Sequence, residues 1–463
     1  MFREVQEEIE KKRKEMTEQY DQKSEIYRDK LEKMARRIME SDSGLPSWQI
    51  DKLIEEVIRP YSDVLWIEGA PPPLLKEYKA SIKLKPGASG VVRQPYKLSK
   101  SDELRASYHH EVWEREGKIE YLKPGDPQIP IACSTFMVDK PPPDLLGRCV
   151  TDYVPINEIT EDVAFPAPDA ERSFNIASCK EYHSTLDAVR GFQQMENDAE
   201  TAEILTITTK KGVARCRRFP FGPKKSPAIF GRAMHEIFHN LRDDTDDEFM
   251  SKFFDDFQIA SSTFAEHIRH LQIFLDRARK YNVQFGLKKS NFGVPEVELL
   301  GFFCGKHGRK VSPRKVEALQ NRVDFKLGDD VNSFLAYCNY LSEFIDGWEE
   351  HQQVLRPYTL KPASAGYKPF SEYQNDKAAQ EARRQLIEGL STAAIVEPDF
   401  EAAADYMNSG RPFELFVDAS DAGFTVVLAQ RKAPGGTPIP IGCARRKWSP
   451  TEQRWSAFER ELK

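Results

Sequence analysis

Two adjacent acidic residues, Asp255 and Asp256, lie inside an apolar run that includes Phe253, Phe257 and Ile259. The run suits a strand or a tight hairpin in a packed sheet. Burial of adjacent carboxylates is costly unless a cation compensates their charge, and a hard divalent metal, which prefers oxygen ligands, is the simplest such cation. The alternative is a hairpin tip with both carboxylates in water, since turns favour aspartate. The pair therefore predicts either a metal site or a solvated turn.

A third carboxylate, Asp187, lies upstream at a predicted strand end, ahead of the turn residue Gly191. Two separate strands that bring acids together at one sheet edge can bind two metal ions about 3.5–4 Å apart. Such a metal pair activates a 3′-hydroxyl and stabilises a leaving pyrophosphate. The spacing of the acids therefore favours two-metal chemistry over a single solvated turn.

Two motifs carry a resemblance to a known family. The stretch Phe-Phe-Asp-Asp at residues 253–256 resembles the aromatic-x-Asp-Asp signature of reverse transcriptases. Residues 219–230 resemble the PFG-x-x-x-(A/S)-P-x-x-F block of the polymerase polyproteins of gypsy-type LTR retrotransposons, and the spacing from Gly191 to this block agrees with that family. The resemblance covers residues 50–463. It implies that Asp187, Asp255 and Asp256 are catalytic and bind two Mg²⁺ ions.

The resemblance also implies an α+β fold, namely a right-hand polymerase with fingers, palm and thumb, followed by a connection and a partial RNase H-like α/β segment. The length of 463 residues by itself suggests about three domains. The predicted boundaries are 1–45 for a charged amphipathic helix, 46–308 for fingers and palm, 309–400 for thumb and connection, and 411–463 for a truncated RNase H-like domain.

A β-hairpin is predicted at residues 136–153, with a proline-rich turn between its strands. In the family this hairpin carries cations that bind the incoming triphosphate, and Lys140 and Arg148 fall on those positions. The alternative is two surface cations on a hairpin. Phe192 falls where the family has an aromatic residue beneath the sugar that excludes a 2′-hydroxyl; the alternative is an ordinary core aromatic.

The last segment resembles the opening of an RNase H domain. Asp418 ends a predicted strand, and Glu461 lies in a predicted helix. These residues fall on the family's first two metal-binding acids, but the later acids lie beyond Lys463, so RNase H activity is not expected of this chain. The alternative for Asp418 is an acid in the turn that follows a strand.

Some positions depart from the family pattern. Ile204 stands where lysine is usual, Gly231 where glutamine is usual and Val154 where arginine is usual, and Pro223 replaces the leucine after PFG. None of these is a metal-binding acid, so the leading prediction stays an RNA-directed DNA polymerase of a retrotransposon. The alternative is a decayed, non-catalytic remnant of such an element that still binds nucleic acid.

The charge pattern bears on partners. The net charge of −6 gives no overall basic signature, but local patches can still attract nucleic acid. A basic cluster interleaved with Phe219 and Phe221 suits contact with a nucleic-acid backbone, or else forms a solvated face. The resemblance implies an RNA or DNA template with primer, and deoxynucleoside triphosphates, as partners. The cluster comprises Lys210, Lys211, Arg215, Arg217, Arg218, Lys224 and Lys225.

The remaining signals concern location and assembly. No apolar run approaches the ~20 residues needed to span a membrane, and the seven scattered cysteines form no zinc or disulfide pattern. We expect an intracellular protein, in the cytoplasm or virus-like particles, with the nucleus as an alternative. Residues 4–40 predict one long amphipathic helix, which either self-associates as a coiled coil or packs on its own chain.

Overall fold

A computed structural model provides the structure of the chain. It divides into two compact units, the first made of Met1–Asp169 with His183–Val294 and the second of Ala170–Tyr182 with Pro295–Lys463. The domain boundaries predicted from the sequence stay predictions. The structure describes residues 2–15, 21–88, 90–126, 130–163, 170–244, 247–253, 256–306, 308–320, 325–340, 348–392, 394–395, 400–419, 423–431, 434–436 and 438–447.

Helices are found in both units, and the described part of the chain combines them with several sheets, which confirms the predicted α+β class. Within the described residues, no helix combines the length and the apolar character needed to cross a membrane. The helices are α1 (Phe2–Glu15), α2 (Glu25–Asp42), α3 (Ser47–Leu53), α4 (Lys100–Arg115), α5 (Val154–Ile159), α6 (Ala170–Ala177), α7 (Ala199–Ile204), α8 (Ser226–Phe238), α9 (Phe264–Tyr281), α10 (Pro313–Gln320), α11 (Gly328–Tyr340), α12 (Trp348–Leu355), α13 (Lys377–Thr392), α14 (Phe400–Ala404) and α15 (Tyr406–Ser409).

The strands form several small sheets rather than one large one. Their order along the chain is β1 (Leu65–Trp66), β2 (Lys79–Ala80), β3 (Val91–Val92), β4 (Ile119–Tyr121), β5 (Ile131–Val138), β6 (Arg148–Thr151), β7 (Tyr182–Asp187), β8 (Glu196–Asn197), β9 (Ile207–Thr209), β10 (Gly212–Cys216), β11 (Met250–Phe253), β12 (Asp256–Ser261), β13 (Phe285–Gly286), β14 (Asn291–Val294), β15 (Glu296–Leu299), β16 (Phe302–Gly305), β17 (Gly308–Val311), β18 (Ala394–Ile395), β19 (Phe413–Ala419), β20 (Gly423–Arg431) and β21 (Pro438–Lys447).

A four-stranded sheet of the first unit carries the acidic residues, with the strand order β11-β12-β7-β14. Helix α9 packs on β12 with the apolar face of its amphipathic sequence. Thr263 and Glu266 form a capping box at its start, which satisfies the free N–H groups there. The rings of Phe257 and Phe274 pack together between sheet and helix, with centroids 5.5 Å apart. The helix therefore fixes the back of the sheet that bears the acids.

The second sheet of this unit contains the predicted hairpin. Strands β5 and β6 pair antiparallel, and Val138 lies opposite Arg148 at the end next to the turn. Strand β5 also pairs with β3 and β9, and the sheet continues through β10 to β4. The hairpin prediction is thus confirmed, and its register brings Lys140 and Arg148 to the same end.

The N-terminal segment departs from the prediction of one long helix. It forms two helices, α1 and α2, and Ser24 begins the second because its hydroxyl accepts a hydrogen bond from the backbone N–H of Tyr27. The apolar stripe is buried within the chain. Val5 of α1 packs with Tyr108 of α4, and Leu31 of α2 is fully buried. The alternative of packing on the same chain is therefore the one observed.

The second unit contains a sheet in the order β15-β16-β17-β18 and a three-stranded antiparallel sheet, β19-β20-β21. Phe302, Phe334 and Trp348 belong to the apolar core formed with helices α10 to α13. In the three-stranded sheet, Asp418 of β19 lies opposite Thr425 of β20. Glu461, the second predicted RNase H-like acid, lies outside the described residues.

Candidate active site

Asp187 and Asp256 come together at the ends of neighbouring strands. Asp187 is the last residue of β7, Asp256 is the first of β12, and these strands are adjacent in the sheet. Desolvation raises the pKa of Asp256, and the negative charge of Asp187 raises it further. Asp255 lies outside the described residues. Of the three predicted catalytic acids, the structure therefore brings two into electrostatic contact.

Lys289 is the cation beside this pair. Its Nζ atom lies 3.5 Å from Oδ2 of Asp187, and its charge opposes the rise in the pKa of Asp256. The side chain of Lys289 is 73% exposed, so water screens this ion pair and it offsets the repulsion between the acids only weakly. No sequence motif marks Lys289. Its position depends on the pairing of the following strand, β14, with β7, which no local motif reveals.

The donor chemistry of the pair fits a hard divalent cation. The charge of Asp187 makes ionisation of Asp256 more costly, and oxygen ligands are those that Mg²⁺ prefers. Within the described residues, from which Asp255 is missing, no cluster of three or more acidic, histidine or cysteine side chains could bind a metal. The two described acids supply part of a metal site.

A cleft of about 1020 Å³ opens beside Asp187 in the first unit. Its walls come from the β5–β6 hairpin, helices α2 and α4, the end of β7 and the turn that ends at Lys289. Among the described residues that line it, eight carry positive charge and only Glu68 and Asp187 carry negative charge. The eight cations are Arg37, Lys118, Lys140, Arg148, Arg190, Arg218, Lys288 and Lys289. Such a concentration of one sign attracts a polyanion.

The hairpin cations predicted to bind phosphate both line this cleft. Lys140 is 3.0 Å from Oδ2 of Asp144, whose other oxygen accepts hydrogen bonds from the backbone N–H groups of Leu146 and Gly147. Asp144 thereby ties the turn of the hairpin to Lys140. Arg148 is exposed at the start of β6. The structure thus brings both cations and Asp187 to one cavity.

A half-buried ion network contains two of these cations, Lys118 and Arg190. Glu116 accepts from Arg190 at 2.7 Å and pairs with Lys118 at 2.6 Å. Burial, together with the nearby charge of Arg190, lowers the pKa of Lys118 to about 8. Arg190 adopts a left-handed backbone conformation with φ of 56° just after β7, and its guanidinium lies over the ring of Trp66. The network fixes the turn that follows Asp187.

Phe192 belongs to an aromatic cluster at the same turn. Its ring centroid is 5.1 Å from that of Phe221 and 5.5 Å from that of Phe230. Phe221 lines the cleft and is 51% exposed, whereas Phe192 is only partly exposed. The sugar-excluding role predicted for Phe192 stays a prediction. Phe221, noted in the sequence only as part of the basic cluster, is the exposed aromatic residue of the cleft.

The positions that depart from the family pattern differ in their burial and contacts. Ile204 is buried and Val154 is 63% exposed. Gly231 lies in α8, and its carbonyl accepts a hydrogen bond of 2.9 Å from Nζ of Lys252, which is on the strand next to β12. Burial lowers the pKa of Lys252 to about 8. This contact uses the backbone carbonyl, so it does not depend on the side chain at position 231.

Comparison with protein families gives two matches. Residues 145–325 match the model described as reverse transcriptase (RNA-dependent DNA polymerase). Residues 376–463 match the model described as the RNase H-like domain found in reverse transcriptase. The first match contains Asp187 and both acids of the Asp-Asp pair, and the second contains Asp418.

Relatives of known type support both matches. The chain is 26% identical over 380 residues to the retrovirus-related Pol polyprotein from transposon 297 of Drosophila melanogaster, which covers 81% of this chain and 33% of the relative. It is 27% identical over 339 residues to the Pol polyprotein from transposon gypsy of the same organism, covering 72% of this chain and 31% of the relative. The chain spans about a third of the length of these curated relatives.

A solved structure shares the fold. The foamy viral protease-reverse transcriptase in complex with double-stranded DNA has a TM-score of 0.71 and 19% identity, over 93% of this chain and 70% of that chain. This similarity confirms the predicted polymerase fold, and the family match at residues 376–463 confirms the RNase H-like segment. The chain contains a reverse transcriptase domain at residues 145–325 and an RNase H-like domain at residues 376–463, and it is similar to retrotransposon Pol polyproteins.

Proposed function

We propose that this chain is an RNA-directed DNA polymerase that adds nucleotides to a primer 3′-hydroxyl. The observation that carries the proposal is the juxtaposition of Asp187 and Asp256 at one sheet edge, with Asp187 lining a cleft in which cations predominate. Its substrates are an RNA or DNA template with primer, and deoxynucleoside triphosphates. The foamy viral relatives were solved with double-stranded DNA and with an RNA/DNA hybrid, which supports nucleic acid as the partner.

Each part of the site has a proposed role. Asp187, Asp255 and Asp256 are the residues that would bind two Mg²⁺ ions. Bound there, a pair of such ions lowers the pKa of a primer hydroxyl and neutralises charge on the triphosphate. Lys140 and Arg148 bind phosphate oxygens, where fixed cations stabilise charge that develops during transfer. Phe192 and its neighbour Phe221 limit the space beside the sugar.

Primer extension tests the proposal. Wild-type chain with Mg²⁺ and dNTPs should extend a primer on an RNA template. Asp187→Asn and Asp255→Asn should each lower the extension rate by at least about 100-fold, because loss of a group that stabilises the transition state costs several kcal/mol. Template binding should change little. The matched control is Asp418→Asn, the same substitution at a strand acid in the RNase H-like domain. Extension that survives in both cleft variants would refute the assignment.

A second candidate is a non-catalytic remnant that binds nucleic acid. It is favoured by Ile204, Gly231 and Val154, which replace polar or charged side chains of the family pattern. Wild-type chain that binds primer–template but extends it with neither Mg²⁺ nor Mn²⁺ would support this candidate. The cleft cations would then still give strongly salt-dependent binding.

Three further expectations stay predictions. The absence of RNase H activity is one, and hydrolysis of an RNA/DNA hybrid by the purified chain would contradict it. Another is location in the cytoplasm or in virus-like particles, with the nucleus as the alternative. The third is self-association through the N-terminal segment, for which the apolar stripe is already used within the chain.

A further inference from the structure

Helix α2, which precedes the reverse transcriptase match, forms one wall of the cleft. Met34, Arg37 and Ile38 line the same cavity as Asp187 and Arg148. Their i, i+3, i+4 spacing places them on one helical face. Met34 and Ile38 are half-buried, whereas Arg37 is exposed. The helix therefore presents a single guanidinium to the cleft between two apolar side chains.

The orientation of this helix is fixed by its adjacent, buried face. Three residues of this face are at most 1% exposed, namely Leu31, Ala35 and Met39. At the start of the helix, the hydroxyl of Tyr27 donates to the carbonyl of Leu65 at 2.7 Å and accepts from the backbone N–H of Ile67 at 3.1 Å. The residue between these two, Trp66, also lines the cleft. Rotation of α2 would break this packing, so Arg37 is held toward the cavity.

Arg37 differs from the other arginines of α2. Arg36 pairs with Asp51 at 2.6 Å, and Arg28 lies 3.6 Å from Glu25. Arg37 has no ion-pair or hydrogen-bond partner among the residues that the structure describes. A guanidinium matches the geometry of phosphate oxygens and stays charged at any working pH. With seven other cations around the same cavity, an anionic ligand is the partner that balances its charge.

We propose that Arg37 is a further phosphate-binding residue of the cleft, which makes the N-terminal helix α2 part of the substrate site. The proposal rests on the proposed function, because that function identifies the anion as the phosphates of the primer–template or of the incoming nucleotide. Arg37 positions substrate and takes no part in bond making. The helix, which lies outside the matched domain, then acts in binding rather than in assembly.

The test compares single-charge variants of the full chain. Arg37→Gln removes the guanidinium from the cleft and keeps a good helix former. Lys23→Gln is the control, since Lys23 is exposed and has no partner for its side-chain charge among the described residues. It lies in the turn before α2, separated from Arg37 by about 18 Å of helix. Arg37→Lys retains the charge. Fluorescence anisotropy with a labelled primer–template, measured over a salt series, gives the dissociation constant and its salt dependence.

If Arg37 contacts a phosphate of the duplex, Arg37→Gln should make the plot of log association constant against log salt concentration less steep. The magnitude of its negative slope should fall by about 0.9. Binding at low salt should weaken several-fold, and Arg37→Lys should restore most of it. If the phosphates are those of the nucleotide, primer–template binding stays constant, and calorimetry with a dideoxy-terminated primer shows a several-fold weaker dNTP dissociation constant. The proposal is overturned if Arg37→Gln matches Lys23→Gln in both measurements.

Neither binding measurement requires turnover. Failure of the polymerase proposal can therefore be distinguished from failure of the Arg37 proposal. A wild-type chain that binds primer–template but never extends it would refute the polymerase assignment, while a change in salt slope in Arg37→Gln would still support the phosphate contact. A wild-type chain that binds neither nucleic acid nor nucleotide would overturn both proposals.

Discussion

Asp187 at the end of β7 raises the pKa of Asp256 at the start of the neighbouring strand β12. The two acids belong to separate parts of the chain, and only the sheet brings them together. Repulsion between like charges at a strand end is a cost to the metal-free fold. Carboxylates held close together at such a cost are typical of a functional site that binds a cation.

Asp187→Asn should lower the pKa of Asp256 toward its ordinary range, because the substitution removes the nearby negative charge. The residual elevation should be that caused by desolvation, which is the larger of the two causes. A pH titration of the side-chain carboxyl carbons by NMR, on metal-free protein, measures the shift. An unchanged pKa would mean that the two carboxylates do not interact.

Lys289→Gln should move the same pKa in the opposite direction. Lys289 stabilises the charged form of Asp256, so its removal raises the pKa of that carboxyl. Lys288→Gln, an identical loss of charge at the adjacent residue that also lines the cleft, is the control and should have the smaller effect. The assignment of Lys289 as the compensating cation fails if the two variants shift the titration equally.

Local sequence signals were sufficient for elements whose determinants are close together in the chain. The hairpin that bears Lys140 and Arg148 follows from strand alternation around a turn, and α9 follows from its amphipathic period. Asp187 and the Asp-Asp pair were found because motif residues mark them. The prediction of a single N-terminal helix was wrong, although Ser24 offered an N-cap signal for a second start.

Other site residues depend on contacts between distant segments. Lys289 reaches Asp187 because β14 pairs with β7, and Arg37 reaches the cleft because α2 docks through its buried face. Phe221 lies in a recognised motif, but its exposure depends on the packing of Phe192 and Phe230 beneath it. Neither spacing nor residue type contains this information, so only the fold could supply it.

Phe192→Val should relax discrimination against ribonucleotides, since a smaller side chain leaves room for a 2′-hydroxyl. The ratio of kcat/KM for dNTP to that for the matching rNTP should fall by at least about 10-fold, the scale of discrimination that steric pockets achieve. Phe221→Leu provides the comparison, because its ring contacts that of Phe192 and lines the cleft. A ratio that falls only in Phe221→Leu would transfer the role to that residue.

Leu31→Ala should destabilise the chain without changing its oligomeric state. Leu31 is fully buried in the face of α2 that packs on its own chain, and truncation of a buried leucine costs about 2–5 kcal/mol. Urea unfolding measures the loss, and light scattering over a dilution series measures the mass. Ile26→Ala, on an exposed residue of the same helix, is the control. Dissociation of an oligomer by Leu31→Ala would show instead that this stripe forms a subunit interface.

A chain of buried polar groups beneath the acidic sheet should make stability depend on pH. Ser184 contacts Nε2 of His267 at 2.7 Å, and Ser261 contacts Nδ1 of the same ring at 2.9 Å. Ser261 also contacts His270, which reaches Asp243 at 3.2 Å. Both histidines are buried. The network joins β7, β12 and α9 directly behind the strands that carry Asp187 and Asp256.

Burial lowers the pKa of His267 from its ordinary 6.5 to about 3. Its neutral form is therefore favoured in the fold, and the stabilisation is complete above pH 6.5 and is lost as the pH falls from 6.5 toward 3. Within that range the free energy of unfolding should fall by about 1.4 kcal/mol per pH unit from this group. His267→Gln keeps hydrogen-bonding capacity but removes the titration.

Urea unfolding at pH 7.5 and pH 5 measures the difference. The wild-type chain should lose about 2 kcal/mol more than His267→Gln between these conditions, because 1.5 pH units lie below the ordinary pKa of histidine. His239→Gln, at an exposed histidine, is the matched control. If wild type and His267→Gln lose the same free energy of unfolding between pH 7.5 and pH 5, the fold does not hold His267 in its neutral form.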